Sequence, residues 1–232
     1  MQTLLAKSSN VGAVKVALEL DEEALWQQYR AVGFGQLTGS GFPGEREGKL
    51  DSYTVWNKTQ RATMAYGYGM STTALQLARA YSVIANDGVL LPVSFIASNK
   101  VGSNYRIMSS ETASTVRGML KAVVSVDGTG SRAMMQSYSA AGKTGTSKKS
   151  HNGEYSDEKY VSLFAGMAPA DEPEIVVVAV IDEPGRHGYY GGVVAGPLFS
   201  KVAEGSLRLM NVPPDKFNYK HKDLLLVGAK DK

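Results

Sequence analysis

Apolar positions in the first half of the chain recur at intervals of three and four, the spacing that lines one face of an α-helix. Between Asn10 and Leu20 the stripe is Val11, Val14 and Leu18. Asp21 then stands where a cap belongs, ahead of a second run from Glu22 to Val32 that Gly33 stops. A third helix is predicted from Thr73 to Asn86, on Leu75, Leu77, Ala78, Tyr81 and Ile84. A fourth is predicted from Glu111 to Val124, behind Ser109 and Ser110, either of which suits an N-cap. From Gly33 to Asn57 glycine and proline fall without period, which predicts a surface excursion.

After "DGTG", ending at Gly130, the pattern changes to strands. Ser139 to Ser147, Val161 to Ala168 and Glu174 to Asp182 are predicted as three of them, the last an almost continuous run of Val and Ile. "PADEP" is short enough to join antiparallel neighbours, and "KKSHNGEYSDEK" reads as a longer polar hairpin loop. A closing helix follows "YYGG", from Val193 to Met210. Helices packed on an antiparallel sheet make an α+β domain, here read as residues 1–212, with 213–232 a basic, solvated C-terminal tail.

Composition narrows the function classes. The 232 residues, 43% of them apolar, suffice for a sizeable core. A formal charge of +3 without a basic run outside the tail gives no electrostatic grip on nucleic acid, so no nucleic-acid partner is predicted. Cysteine is absent, which removes disulfides and thiolate metal sites. The histidines, His151, His187 and His221, lack ligand spacing, so neither metal nor cofactor is predicted. The longest apolar run, Ile175 to Ile181, is far below the ~20 residues of a membrane helix. The first ten residues do not read as a secretion leader, so any targeting segment is expected outside this chain.

Candidate chemistry lies in "AAGKTGTS", Ala140 to Ser147. Strand alternation sends Lys143 and Gly145 to one face and Thr144 and Thr146 to the other. Two hydroxyls on one side suit a carboxylate, and Gly145 between them lets another backbone approach, as when a peptide lies along a sheet edge. An unpaired buried ammonium at Lys143 would cost several kcal/mol, so it needs a partner from the helical half. "AKSSNVG" offers one: Ser9 or Asn10 suffices as a helix cap, which leaves Ser8 free to share a pocket with Asn10.

Other motifs fail. A phosphate loop would need glycine where Ser137 stands, "GYGMST" lacks the third glycine of a dinucleotide fingerprint, and no Gly-x-Ser-x-Gly elbow occurs. Serine-lysine chemistry remains. Ser-x-Asn near a helix start, followed by Lys-Thr-Gly-Thr on a strand, resembles the second and third signatures of penicillin-binding proteins and serine β-lactamases. With "YGYG", "LFAGMAPADEP", "VVVAVIDEP", "YYGG" and "LRLMNVPPD", the chain up to about Asp215 is similar to the septal, division-type class B transpeptidases of Gram-negative bacteria.

That resemblance implies a penicillin-binding transpeptidase fold and a D,D-transpeptidase that cross-links peptidoglycan stem peptides ending in D-Ala-D-Ala and binds β-lactams. It implies the periplasmic face of the inner membrane, and a septal glycan polymerase and other division proteins as partners. Ser8 would relay a proton and Lys143 polarise it; Asn10 would bind the donor's amide; Thr144 and Thr146 would take the terminal carboxylate, the Thr146 N–H supplying half of an oxyanion hole. Tyr68, Tyr189 and Tyr190 resemble residues along the family's cleft. The family's first signature, Ser-x-x-Lys, belongs upstream of Ser-x-Asn and is not found there; "SDEK" at Ser156 lies in a charged segment and reads as coincidence. The chain is therefore expected to be the C-terminal portion of a transpeptidase domain, with nucleophile, first sheet strands and anchor upstream, and to form no acyl-enzyme alone. A non-catalytic module binding peptidoglycan or β-lactams is the alternative. β-Lactam hydrolysis ranks last because no base for a deacylating water is evident.

Overall fold

Short polar side chains start the helices. Ser9, Asp21, Asn57, Thr73 and Ser109 each accept a backbone N–H of the first turn, which satisfies a donor the helix itself leaves open. The structure, a computed structural model, describes residues 1–97, 102–151, 154–185 and 188–216. Its helices are α1 (Gln2–Ala6), α2 (Asn10–Glu19), α3 (Glu22–Ala31), α4 (Lys58–Ala65), α5 (Ala74–Ala85), α6 (Ser110–Lys121) and α7 (Gly191–Leu209). Its strands are β1 (Val89–Leu90), β2 (Tyr105–Arg106), β3 (Ala141–His151), β4 (Glu154–Ala168) and β5 (Ile175–Asp182).

The larger sheet has the order β3-β4-β5, both pairs antiparallel, so β3 and β5 are its outer strands among the described residues. Lys143 pairs with Ala165 and Thr146 with Ser162, and β5 continues the register with Phe164 opposite Ala179. The core forms where α7 crosses the sheet: Phe164, Phe199, Leu207 and Tyr138 are essentially solvent-free, and the Phe164 and Phe199 rings meet at 4.6 Å. On the other face Leu120 and Val123 pack with Met167 and Ala141. Among the described residues no helix is long and apolar enough to cross a membrane.

Some expectations need correction. "KKSHNGEYSDEK" is mostly strand rather than loop: β3 runs to His151 and β4 starts at Glu154, with a register shift between Lys148 and Ser150. Polar side chains do not end a strand whose backbone stays paired, and here Ser150 pairs with Tyr155 and His151 with Glu154. Helices α1 and α4 carry too few apolar positions to show periodicity; α4 is instead started by a capping box of Asn57 and Gln60. The segment from 33 to 57 is irregular as expected but is not a free excursion. Buried Gln76 donates to the carbonyls of Gln36 (2.7 Å) and Glu47 (2.8 Å), and Thr38 and Trp56 are buried within the segment. His187, His221 and the tail beyond residue 216 lie outside the described residues.

Candidate active site

The cleft forms where the loop entering α2 meets the outer edge of β3. Ser9 takes the cap of α2, accepting the Gly12 N–H at 3.1 Å. Ser8 is thereby left just outside the helix at φ 53°, a left-handed conformation that aims its hydroxyl toward the sheet. There it accepts a hydrogen bond from Lys143 Nζ at 2.8 Å. The same ammonium donates to the Thr144 carbonyl at 3.0 Å and to Thr144 Oγ1 at 3.2 Å, so all three N–H bonds have acceptors. Strict alternation would have kept Lys143 and Thr144 apart. The long lysine side chain at an open edge curls back to its neighbour instead.

Among the described residues no carboxylate neutralises this ammonium; its acceptors are neutral oxygens. Burial therefore pushes Lys143 down from the ordinary lysine value to about 8. At neutral pH a cation of this kind polarises a hydroxyl and exchanges a proton with it at small energetic cost.

Beside the pair opens a cavity of about 490 Å³, lined by Ser8, Asn10, Thr129, Thr144, Thr146 and Tyr190 together with Lys7 and the first residues of α7. Hydroxyls and an amide dominate, and no acidic side chain is among the lining residues. Two features raise the potential further. Lys7 is anchored by donating to the Asp127 carbonyl at 2.8 Å, and α7 directs its N-terminal end, with the positive end of its dipole, at the cavity. Glycine is required at that helix start. A Cβ on Gly191 would stand 2.2 Å from the Gly145 carbonyl, and one on Gly192 would stand 2.1 Å from the Thr129 carbonyl. This contact lets the Gly191 N–H donate to Thr146 Oγ1 at 2.9 Å.

Of the residues singled out in the sequence, Ser8, Asn10, Thr144, Thr146 and Tyr190 line this cavity, and Lys143 stands behind Ser8. Gly145 does not line it: a Cβ there would meet the Leu163 side chain at 2.8 Å, so this glycine serves packing against β4. The backbone that approaches Gly145 is the chain's own, at Gly191. Tyr189 lies outside the lining and stacks on Tyr160 at 4.0 Å, with Tyr190 at 4.5 Å from it. Tyr68 sits on a neighbouring cavity, its hydroxyl accepting the Lys148 N–H at 2.9 Å. Ser156 Oγ accepts the backbone N–H groups of Glu158 and Lys159 and belongs to neither cavity. The sequence reading missed Thr129, whose hydroxyl meets Thr144 Oγ1 at 3.1 Å, and Lys7. The "DGTG" turn was the available signal for Thr129, because a glycine-flanked threonine marks a tight, exposed backbone.

An α+β domain with a lysine-serine pair between a helix entrance and a sheet edge defines a class. The chain belongs to the family described as "Penicillin binding protein transpeptidase domain", which it matches over residues 1–204. Among characterised relatives it is 37% identical over 226 residues to "Peptidoglycan D,D-transpeptidase FtsI" of Escherichia coli, covering 97% of this chain and 38% of that protein. It is 43% identical over 213 residues to "Probable peptidoglycan D,D-transpeptidase PenA" of Neisseria meningitidis, covering 92% of this chain and 37% of that protein. The chain thus spans little more than a third of the length of these relatives. Among solved structures, the transpeptidase domain of Burkholderia pseudomallei penicillin-binding protein 3 superposes with a TM-score of 0.88 at 42% identity, covering 92% of this chain and 65% of that one. Penicillin-binding protein 3 of Mycobacterium tuberculosis, complexed with aztreonam, gives 0.86 at 35% identity, covering 92% and 52%.

Proposed function

We propose that this chain forms the C-terminal portion of the transpeptidase domain of a serine D,D-transpeptidase that cross-links peptidoglycan stem peptides during septal wall synthesis and is a target of β-lactams. The observation that carries the reading is the 2.8 Å contact of Lys143 with Ser8 beside a hydroxyl-lined, acid-free cavity. The terminal carboxylate of a D-Ala-D-Ala donor fits the row of Thr144 and Thr146 hydroxyls under the positive end of α7. Asn10 presents an amide to the donor's backbone, and the N–H of Thr146 faces the oxygen that gains charge as the carbonyl is attacked. Ser8 returns a proton to the departing D-alanine amine, and Lys143, with its lowered pKa, resupplies Ser8.

The attacking serine itself comes from a Ser-x-x-Lys segment outside these 232 residues, because within them only Ser156 has that spacing and it lies in neither cavity. The domain works at the periplasmic face of the inner membrane through an anchor outside this chain, with the septal polymerase as its partner; it reaches past residue 212, because Asp215 accepts the N–H and the hydroxyl of Ser139 and Lys216 donates to the carbonyls of Ser137 and Met135. The test is mass spectrometry after incubation with a penicillin. No adduct is expected on this chain alone, and an adduct on the serine of the Ser-x-x-Lys segment is expected in a protein that contains both. Lys143→Ala should slow that acylation by about 10²–10³-fold. An adduct on Ser156 or any other serine of this chain, or acylation indifferent to Lys143, defeats the assignment.

A further inference from the structure

The chain that follows α7 turns back onto the entrance of β3. Asn211, at φ 57°, ends the helix in the left-handed conformation, and the Val212 N–H reaches back to the Leu207 carbonyl at 3.0 Å. Val212 packs on the core while its carbonyl accepts the Tyr138 hydroxyl at 2.8 Å. Pro213 and Pro214 follow, and their fixed φ leaves this short stretch little freedom. It delivers Asp215 to Ser139. The carboxylate accepts both the Ser139 N–H, at 2.7 Å, and the Ser139 hydroxyl. Lys216 closes the contact, its N–H on the Ser137 carbonyl at 3.2 Å and its ammonium on the Met135 carbonyl at 2.9 Å.

Ser139 is committed on its other side as well. Its Oγ accepts, at 2.8 Å, the N–H of Ala170, a fully buried residue in the turn between β4 and β5 whose donor needs a partner. One carboxylate thereby joins the end of α7, the entrance to β3 and the turn after β4. This tie lies outside the β3–β4 ladder, so it fixes the height of β3 along β4 independently of the ladder's own bonds.

Strand β3 has particular need of it. Ala140, Ala141, Gly142 and Gly145 are small, and register is weakly specified where a strand is rich in glycine. Its only partner strand among the described residues is β4. A slip by one residue would bring Gly142 or Thr144 to the place from which Lys143 reaches Ser8. Further along, the Gly191 N–H holds Thr146 at 2.9 Å. Helix α7, about 28 Å long for its 19 residues, thus grips β3 at Thr146 with its first residue and at Ser139 with the chain beyond its last. Lys143 lies between the two grips.

We propose that Asp215 is a positioning residue for the reaction: by pinning Ser139 it sets the height of β3, and with it the meeting of Lys143 Nζ and Ser8 Oγ. It touches no reacting atom. Its catalytic consequence rests on the proposed function, whereas the placement of Lys143 is read on this chain alone.

The test compares Asp215→Ala, Asp215→Asn and Tyr138→Phe. The last removes the bond to the Val212 carbonyl from the same segment and leaves Ser139 tied. On this chain, the Lys143 ammonium is titrated by NMR, with circular dichroism as the check of folding. Asp215→Ala should raise its midpoint from about 8 toward the ordinary lysine value of 10.5, because a displaced ammonium regains solvent. Asp215→Asn still accepts one of the two bonds and should fall between, and Tyr138→Phe should leave the midpoint in place. In a protein that also contains the Ser-x-x-Lys segment, Asp215→Ala should slow acylation by a penicillin by about tenfold to a hundredfold. Tyr138→Phe should lower the urea midpoint there without slowing acylation. A Lys143 midpoint that stays near 8 in Asp215→Ala, or acylation slowed no more by Asp215→Ala than by Tyr138→Phe, overturns the positioning role and leaves the proposed function intact. Acylation indifferent to Lys143→Ala, run in the same series, defeats the functional reading and the catalytic role of Asp215 with it.

Discussion

The two sides of the cleft are stabilised by different physics. The sheet side, β3 to β5 with α7, buries Phe164, Phe199, Met167, Leu207 and Tyr138 almost completely. On the helical side, α1 and α3 bury no residue and α2 buries only Ala17. Polar side chains gripping backbone carbonyls hold that side instead. Arg61 donates to the carbonyls of Ala17 (3.1 Å), Leu18 (3.2 Å) and Leu20 at the end of α2, and pairs with Glu22 at 2.9 Å. These carbonyls are the ones a helix end leaves open, so a single guanidinium both caps α2 and ties it to α4. Gln76 does the same for the segment from 33 to 47. Apolar burial resists separation but tolerates sliding, whereas such bonds are directional and set position. The wall that presents Ser8 and Asn10 is therefore placed more by geometry than by bulk.

The contrast can be broken most severely at the core. Phe199→Ala should cost about 3–5 kcal/mol by urea unfolding, because the Phe164 ring loses its partner at 4.6 Å and a cavity remains. A loss below about 1 kcal/mol would mean that the sheet side depends on something other than this core. A smaller effect is expected from Gln76→Met, which keeps volume while orphaning the carbonyls of Gln36 and Glu47: about 1–3 kcal/mol, with faster hydrogen exchange confined to residues 33–50. Uniform acceleration across the sheet would erase the distinction between the two sides.

The smallest effect sits at the seam and depends on pH. Folding lowers the pKa of Lys143 from 10.5 to about 8, so between those values the unfolded chain holds the proton more readily than the folded one. Stability is accordingly held back below about pH 8 and recovers as pH rises toward 10.5. Lys143→Met should remove that rise, a difference of about 1 kcal/mol after allowance for solvent screening of a half-buried group. A parallel pH profile for the two proteins would show that the ammonium is not desolvated as described.

Much of this architecture was legible in the sequence for identifiable reasons. Helices α2, α3, α5 and α6 combine an apolar stripe with a capping side chain, and β5 is almost pure Val and Ile. The proximity of Ser8 and Lys143, 135 residues apart, became legible through the resemblance carried by Ser-x-Asn and Lys-Thr-Gly-Thr, because electrostatics alone is equally met by a lysine that snorkels to solvent from a strand end. What escaped was decided by tertiary contacts. Gly145 is read in sequence as room for a ligand, yet the space is filled from behind by Leu163. Thr129 reaches the cleft only because its N–H is tied to the Ala6 carbonyl at 3.1 Å, a pairing no local pattern announces.

Ser8, with φ at 53°, is a non-glycine residue in a conformation that glycine adopts at lower cost. A glycine would relieve the backbone and leave Lys143 without its hydroxyl acceptor. The molecule thus gives up folding free energy at the position where its proposed chemistry is concentrated, and selection for thermal robustness alone would tend to remove that side chain.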